Sequence, residues 1–404
     1  MKPLVFASAG LGGYAASICN LLSEASAEPE PAVRLHAVCE PNLAAFAAPA
    51  AELRARGVKV FESYAELLAE AEVEAVWLPL PIHLHRPFTE QALHAGKHVL
   101  CEKPAAGSIQ DVRAMADAAD AAGLKLALGF QDIYLPYRHK VKQALAEGRI
   151  GTVRRGTLWA SWPRGNAYFA RNAWAGALKR DDTWVLDSPA NNALAHFVNL
   201  AMDWLSPTPV SARPLAVEAE LYRANPIENY DTCSLRVQLE GDRELVVLLT
   251  HAGRPAEQPR IEIVGDAGRV RFHAFENVVI DHAGGHEQVP VDDDRTHVAR
   301  EFARWVRGEA DASRIATIDF GLHHTLLINA VSEAAPVVEI PAEARVVHQE
   351  GEAASQCVPG LVEAMRDAAA QARLLHETGR FDWTSPASCK RIDPAMHFAG
   401  PFAG

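Results

Sequence analysis

Leu4-Val5-Phe6-Ala7-Ser8-Ala9-Gly10-Leu11-Gly12-Gly13-Tyr14-Ala15 opens the chain as an apolar run, a glycine-rich turn and the start of a helical pattern over residues 13–24. Gly10 permits a tight turn, and Gly12 lets the backbone approach a pyrophosphate. Ala15 stands where a third glycine would allow close helix–strand packing, and a helix N-terminus favours an anion. Leu11 and Gly13 complete the turn. A bare pattern of this kind also fits an ordinary strand-to-helix turn, so its setting decides. Here a strand precedes it and a helix follows, as a dinucleotide site requires.

Working outward, residues 1 to about 130 alternate short β-like runs with amphipathic helices. Strands are predicted at Leu4–Ala7, Arg34–Cys39, Val58–Phe61, Ala75–Leu78, His98–Leu100 and Lys125–Phe130. Helices are predicted at residues 13–24, 41–56, 63–70, 86–95 and 108–122, the last opened by Ser108 with Asp111 as a capping box. Such alternation implies α/β architecture with a doubly wound parallel sheet. After a helix at 136–148 the texture changes. Long strands group at 154–162, 234–239, 244–250, 260–264 and 269–272, with helices near 187–205, 298–308 and 360–376. This half reads as an α+β domain, 131–404, whose mostly antiparallel open sheet is covered by those helices. From about residue 380 it ends in an irregular arm rich in proline and glycine.

At 404 residues two domains are the default, and 49% hydrophobic with 22% charged residues is an ordinary globular composition. The net charge of −12 argues against a nucleic-acid partner. Cys19, Cys39, Cys101, Cys233, Cys357 and Cys389 are scattered with no paired spacing, which reads as reduced thiols in a cytoplasmic protein. Lys2 and the alanine-rich run after it resemble a signal peptide, but Gly10, Gly12 and Gly13 break the apolar stretch. No run approaches the ~18 apolar residues of a membrane span.

Three further segments carry chemistry. Glu40 ends the second strand, where a carboxylate can accept hydrogen bonds from adenosine ribose hydroxyls and repel a 2′-phosphate. That favours NAD over NADP; the alternative is a solvated loop acid. Leu80, Pro81 and His85 belong to a proline-stiffened loop after the fourth strand that can line a cofactor cleft. His83 and His85 lack companion ligands, so no metal is expected. Cys101-Glu102-Lys103-Pro104 follows the fifth strand, which aims Lys103 at a ligand above the sheet.

Gly10-x-Gly12-x-x-Ala15, Pro81-Ile82-His83-Leu84-His85 and Glu102-Lys103-Pro104, in this order and spacing, resemble the Gfo/Idh/MocA family. Similarity continues through Gly129-Phe130-Gln131, Gly148-Arg149-Ile150-Gly151 and the 302–334 region. The resemblance implies a Rossmann domain, an α+β domain often used for oligomerisation, NAD(P), and a sugar, cyclitol or related polyol substrate. It places Lys103 near the reacting hydroxyl and the nicotinamide, with Glu102 beside it. It also matches His196 to the histidine of an Asp-x-x-x-His element, with Asn192 at the aspartate position. Asn192 carries no charge, so it can orient a hydroxyl but not act as a base. Asp187 is a candidate displaced carboxylate. Gln131 stands where the family commonly has asparagine, and Arg171-Asn172-Ala173-Trp174 resembles a stretch that approaches nicotinamide and substrate.

Trp159, Trp162, Trp174 and Trp184 crowd one segment with Arg164, Tyr168 and Arg171. Trp162, Arg164, Tyr168 and Arg171 are candidates for a substrate wall, since aromatic faces stack on sugar rings. Trp159 and Trp184 fit core packing equally well. The expectation is an NAD-dependent dehydrogenase of a polyol secondary alcohol, with Lys103, His196 and Asn192 at the reaction, assembled as a homodimer or homotetramer. An NAD-retaining glycosidase and a non-catalytic NAD-sensing regulator are the alternatives.

Overall fold

The computed structural model describes residues 2–350 and 353–402. Two units emerge: Met1–Ala106, Gln110–Leu135 and Asp293–Leu322 form the first, and Gly107–Ile109, Pro136–Asp292 and His323–Gly404 the second.

In the first unit the apolar runs become strands β1 (Leu4–Ala9), β2 (Val33–Cys39), β3 (Lys59–Phe61), β4 (Ala75–Leu78), β5 (His98–Cys101) and β6 (Leu126–Leu128). Helices α1 (Tyr14–Ser26), α2 (Ala47–Ala55), α3 (Tyr64–Ala69), α4 (Ile82–His94) and α5 (Ile109–Ala122) alternate with them. All pairings are parallel, in the order β3-β2-β1-β4-β5-β6. The order reverses between β1 and β4, so the ligand crevice of such a sheet lies at their carboxyl ends. There the glycine turn and the Leu80-Pro81 loop begin. One helix is shorter than expected. Residues 41–46 form turns, with Ala45 N–H bonded to Asn42 O and Phe46 N–H to Leu43 O, and α2 starts only at Ala47.

The second unit holds α6 (Pro136–Ala146), β7 (Val153–Ser161), α7 (Asn166–Ala170), the small hairpin β8 (Lys179–Arg180) and β9 (Thr183–Trp184), and α8 (Ala195–Trp204). Strands β10 (Pro214–Arg223), β11 (Thr232–Leu239), β12 (Arg243–Thr250), β13 (Glu257–Gly265), β14 (Gly268–His273), β15 (Asn277–His282) and β16 (Gly285–Pro290) follow. The chain then runs through α9 (Thr296–Val306), α10 (Ile318–Ala334), β17 (Val337–Glu339), the hairpin β18 (Val346–Glu350) and β19 (Ala353–Cys357), α11 (Leu361–Gln371) and β20 (Ser388–Arg391). The main sheet is ordered β16-β15-β14-β13-β7-β12-β11-β10-β17, with β20 also on β10. It is antiparallel except for β7–β12 and β10–β17.

On one sheet face Tyr137 of α6 stacks on Phe272 of β14 at 5.7 Å, and Trp204 of α8 meets the same ring edge-on at 5.6 Å. Arg138 ties α6 to α8 through a buried fork on Asp203, Nε to Oδ2 at 2.8 Å and Nη2 to Oδ1 at 2.6 Å. On the other face Leu361, Met365 and Ala368 of α11, spaced to share one helix side, pack in a cluster with Trp159, Tyr222, Val246 and Leu248. Trp159 is therefore core, not wall, and part of the sheet face is filled by the chain itself.

Three expectations are corrected. The helix near 298–308 does not cover the antiparallel sheet. As α9 it returns to the first unit, where Phe302 is fully buried 5.8 Å from Phe6 and Arg307 forks Glu74 at 3.0 and 2.8 Å. Burying such a ring is worth about 1.5–3 kcal/mol. A simple cut at residue 130 thus misses the return of 293–322. The terminal arm is not wholly irregular, since β20 pairs antiparallel with Ala216–Ala219 of β10. The 187–205 helix begins late: Pro189–Ala193 forms one wide π-type turn before α8. Among the described residues no helix is long and apolar enough to cross a membrane.

Candidate active site

The glycine turn is built by backbone chemistry. Gly10 has φ +98°, a conformation side chains disfavour, and its N–H donates to Cys39 O at 2.7 Å. A Cβ on Gly12 would lie 2.9 Å from the Phe46 ring, so glycine lets that ring pack against the turn. Glu40 is buried at the end of β2. Its Oε2 accepts Leu11 N–H at 3.0 Å and its Oε1 accepts Asn42 N–H at 2.9 Å. Each oxygen retains a lone pair for a ribose hydroxyl. The turn therefore fits a dinucleotide, with an acid at the end of β2 beside it.

Pro81 caps α4, and buried His85 on that helix reaches back. Its Nδ1 is 2.8 Å from Pro104 O and its Nε2 2.8 Å from Leu80 O. Burial pushes its pKa below the usual imidazole value. His85 thus sits between the Leu80-Pro81 loop and the Lys103-Pro104 segment, its single neutral N–H donating to one of the two carbonyls, instead of presenting a free ring to a ligand.

Glu102 is buried beneath half-buried Lys103. Trp77 Nε1 donates to its Oε1 at 3.1 Å, and Lys103 N–H donates to its Oε2 at 3.3 Å. Gly129 leaves room for it, since a Cβ there would fall 2.5 Å from the carboxylate. Burial pushes Glu102 up to about 7, against the opposing charge of Lys103. Tyr14, 39% exposed, lies within the field of the site: its hydroxyl is pushed up by desolvation first and then by the Glu102 charge, against the Arg295 charge. Gln131 opens a short turn after β6, and its Oε1 is buried with no hydrogen-bond partner among the described residues. An acceptor left open in this way fits a carboxamide N–H. Trp77 and Arg295 were not singled out in the sequence as site residues; Gly129 entered only through the Gly129-Phe130-Gln131 resemblance, and Tyr14 only as part of the glycine-rich stretch.

In the second unit Leu186 adopts φ +50°, which costs about 1–2 kcal/mol in a branched residue and is held by N–H bonds from Val185 and Leu186 to Leu178 O. The next residue, Asp187, is buried. Its Oδ2 accepts Gly176 N–H at 2.6 Å, and its Oδ1 accepts Asn192 Nδ2 at 2.7 Å. A buried carboxylate thus lies one hydrogen bond from Asn192, across the π-type turn. His196 lies in the first turn of α8, half-buried, its ring 6.5 Å from Phe197.

The aromatic and arginine side chains of residues 162–174 lie against one another. The Arg171 guanidinium lies 3.5 Å from the Tyr168 ring centroid and 5.4 Å from that of Trp174. Arg164 lies 4.7 Å from Tyr168 and 5.6 Å from Trp162. Buried His251, absent from the sequence reading, bonds Trp162 O through Nδ1 at 2.8 Å. Burial, then the Arg164 charge and, more weakly, that of Arg171, push it down to about 3, so its ring is neutral. Trp184 leans instead on Phe398, at 5.2 Å. Among the described residues one group could hold a metal, His36 with Glu70 and Glu72, but Lys59 and Arg34 already sit on those carboxylates at 2.7 and 2.9 Å.

Comparison with known proteins agrees with this geometry. Residues 6–130 match the family described as "Oxidoreductase family, NAD-binding Rossmann fold", and residues 139–271 match the GFO/IDH/MocA C-terminal domain. A dTDP-3,4-didehydro-2,6-dideoxy-alpha-D-glucose 3-reductase of Streptomyces violaceoruber is 41% identical over 98 residues, 24% of this chain and 29% of that protein. An inositol 2-dehydrogenase of Rhizobium meliloti is 26% identical over 219 residues, 54% of this chain and 62% of that protein. The chain therefore aligns with less than two thirds of either relative. The WlbA dehydrogenase of Bordetella pertussis, solved with NADH and UDP-GlcNAcA, shares the fold with a TM-score of 0.67 at 24% identity, over 82% of this chain and 95% of that one. The chain belongs to the Gfo/Idh/MocA family of oxidoreductases.

Proposed function

We propose that the protein is an NAD-dependent dehydrogenase acting on a secondary alcohol of a sugar, sugar derivative or cyclitol. The observation that carries this reading is the buried Glu102 carboxyl that accepts the Lys103 backbone N–H and feels the Lys103 charge, in the same unit as the glycine turn and Glu40. Gly10, Leu11, Gly12 and Gly13 would hold the pyrophosphate, Glu40 the ribose, and Leu80, Pro81 and Gln131 the nicotinamide end; Trp174 belongs to the stretch that the family resemblance assigns to the cofactor. When bound, the nicotinamide supplies the site for hydride. Lys103 takes or returns the hydroxyl proton, and Glu102, titrating near neutrality, stabilises its ammonium form when ionised. His196 assists, and Asn192, bonded to Asp187, orients the substrate hydroxyl.

Glu40 is the ground for NAD over NADP: a 2′-phosphate would meet a buried carboxylate. Relatives named for a deoxysugar reductase and an inositol dehydrogenase favour a polyol substrate over other alcohols. A cytoplasmic homodimer or homotetramer without nucleic-acid or membrane partners completes the reading, although α11 leaves less bare sheet for self-association. Lys103→Met tests it: NAD binding is retained and turnover falls about 10²–10⁴-fold. An unimpaired variant contradicts the assignment.

A further inference from the structure

Most arginines of this chain sit on carboxylates, Arg138 on Asp203, Arg236 on Glu218 and Glu377, Arg307 on Glu74. Arg164 and Arg171 do not: among the described residues neither forms an ion pair. Arg164 Nε is in addition buried without a hydrogen-bond partner. Burying a charged donor unsatisfied is unfavourable, so such a group is ordinarily completed by water or a ligand.

The surroundings sharpen this. Both guanidinium groups lie over one ring, that of Tyr168, at 3.5 and 4.7 Å from its centroid. Two like charges held against one ring repel unless an anion joins them. His251, 6.1 Å from the same ring, carries no negative charge to offer and is itself kept neutral by burial and by these two arginine charges. Asp187 is the carboxylate that Tyr168 feels, and its two oxygens already accept Gly176 N–H and Asn192 Nδ2. Two positive charges therefore face one committed acid, in a chain whose net charge is −12.

We infer that Arg164 and Arg171 form an oxyanion clamp, and that the polyol substrate carries a carboxylate or a phosphate ester. Planar guanidinium forks match either group and give it orientation as well as charge. Tyr168 fixes both forks by stacking, so little rotamer freedom is lost when the anion arrives. The inference rests on the dehydrogenase reading for the word substrate, but the clamp itself does not.

The test is titration calorimetry of the NAD-loaded protein with D-glucose, D-gluconate, D-glucuronate and D-glucose 6-phosphate, run beside an NADH assay. Wild type is compared with Arg164→Gln, Arg171→Gln and the charge-keeping Arg171→Lys. An acid or the phosphate should bind at least about tenfold tighter than glucose and weaken with salt. Each glutamine variant should lower that preference about 10–100-fold, with partial rescue by lysine. Preference for the acids identifies a carboxylate, and preference for the ester a phosphate. Charged ligands binding no better than glucose, or variants weakening all ligands equally, would overturn the clamp. Arginine-dependent binding without NADH keeps the clamp and sinks the dehydrogenase, whereas NADH from glucose alone does the reverse.

Discussion

The glycine turn with Glu40 and the arginine–aromatic segment 162–174 reach precision by opposite routes. In the first, backbone N–H groups of Leu11 and Asn42 hold the acid, and a positive φ at Gly10 shapes the turn. In the second, side chains hold one another: two guanidiniums on Tyr168, and His251 on the Trp162 carbonyl. A site made of backbone tolerates almost any neighbouring side chain, and suits a ligand common to a whole family. A site made of stacked side chains is rewritten by single substitutions, and suits a ligand that differs between relatives.

If that contrast is right, the two regions should fail separately. The largest effect is expected from Arg138→Met, which strips the buried fork from Asp203 and leaves it the more distant Lys142 ammonium at 3.6 Å, and should lower stability by about 3 kcal/mol. In a denaturant melt followed at the second unit's tryptophans, that unit should unfold first; a variant as stable as wild type breaks the picture of a scaffold fixed by side chains.

The pH limits come next, and they too divide between the regions. Glu102 is raised to about 7 in the first unit. Below its ordinary value both folded and unfolded chains are protonated there. As pH rises from about 4.5 to 7 only the unfolded chain ionises, so up to about 3 kcal/mol of stability is lost. Glu102→Gln should remove that alkaline slope in a melt series. His251 works in the opposite sense: lowered to about 3, it makes folding less favourable as pH falls below about 6.5, because only the unfolded ring gains a proton. His251→Gln should relieve the acid limb and leave the alkaline one.

Smaller effects should mark the cofactor region alone. Gly10→Ala forces φ +98° on a side chain and puts its Cβ 3.1 Å from that of Ala15. A strain of about 1–3 kcal/mol is expected, read as roughly tenfold or more weaker NAD binding with sugar-acid binding unchanged. Glu40→Ser should move the NADP-to-NAD preference by about tenfold, the scale of one charge-assisted contact. No change in either ratio would mean that Glu40 serves only to pin Leu11 and Asn42.

Legibility in the sequence followed the same divide. Strand-to-helix alternation and Gly10-x-Gly12-x-x-Ala15 are local, so the parallel sheet and its turn could be read directly. The return of α9 could not, because Phe302 meets Phe6 from far along the chain. Strands β10, β15 and β16 escaped for another reason: Glu218, Glu220 and Pro214, or Gly284-Gly285, interrupt their apolar pattern, and buried Glu220 is tolerated only through His376 and Tyr222. Lys103 and His196 came from motif resemblance. The link from Asn192 to Asp187 was visible only as a guess, since it depends on a π-type turn and a positive φ at Leu186.

The central claim is that Lys103 moves a hydroxyl proton while NAD⁺ is reduced. The direct measurement is NADH absorbance after mixing the purified protein with NAD⁺ and a panel of sugars, sugar acids and cyclitols, for wild type and Lys103→Met. The account predicts NADH from at least one class with wild type, and its loss in the variant at unchanged NAD affinity. NAD binding with no NADH from any class, or equal turnover by Lys103→Met, would contradict it.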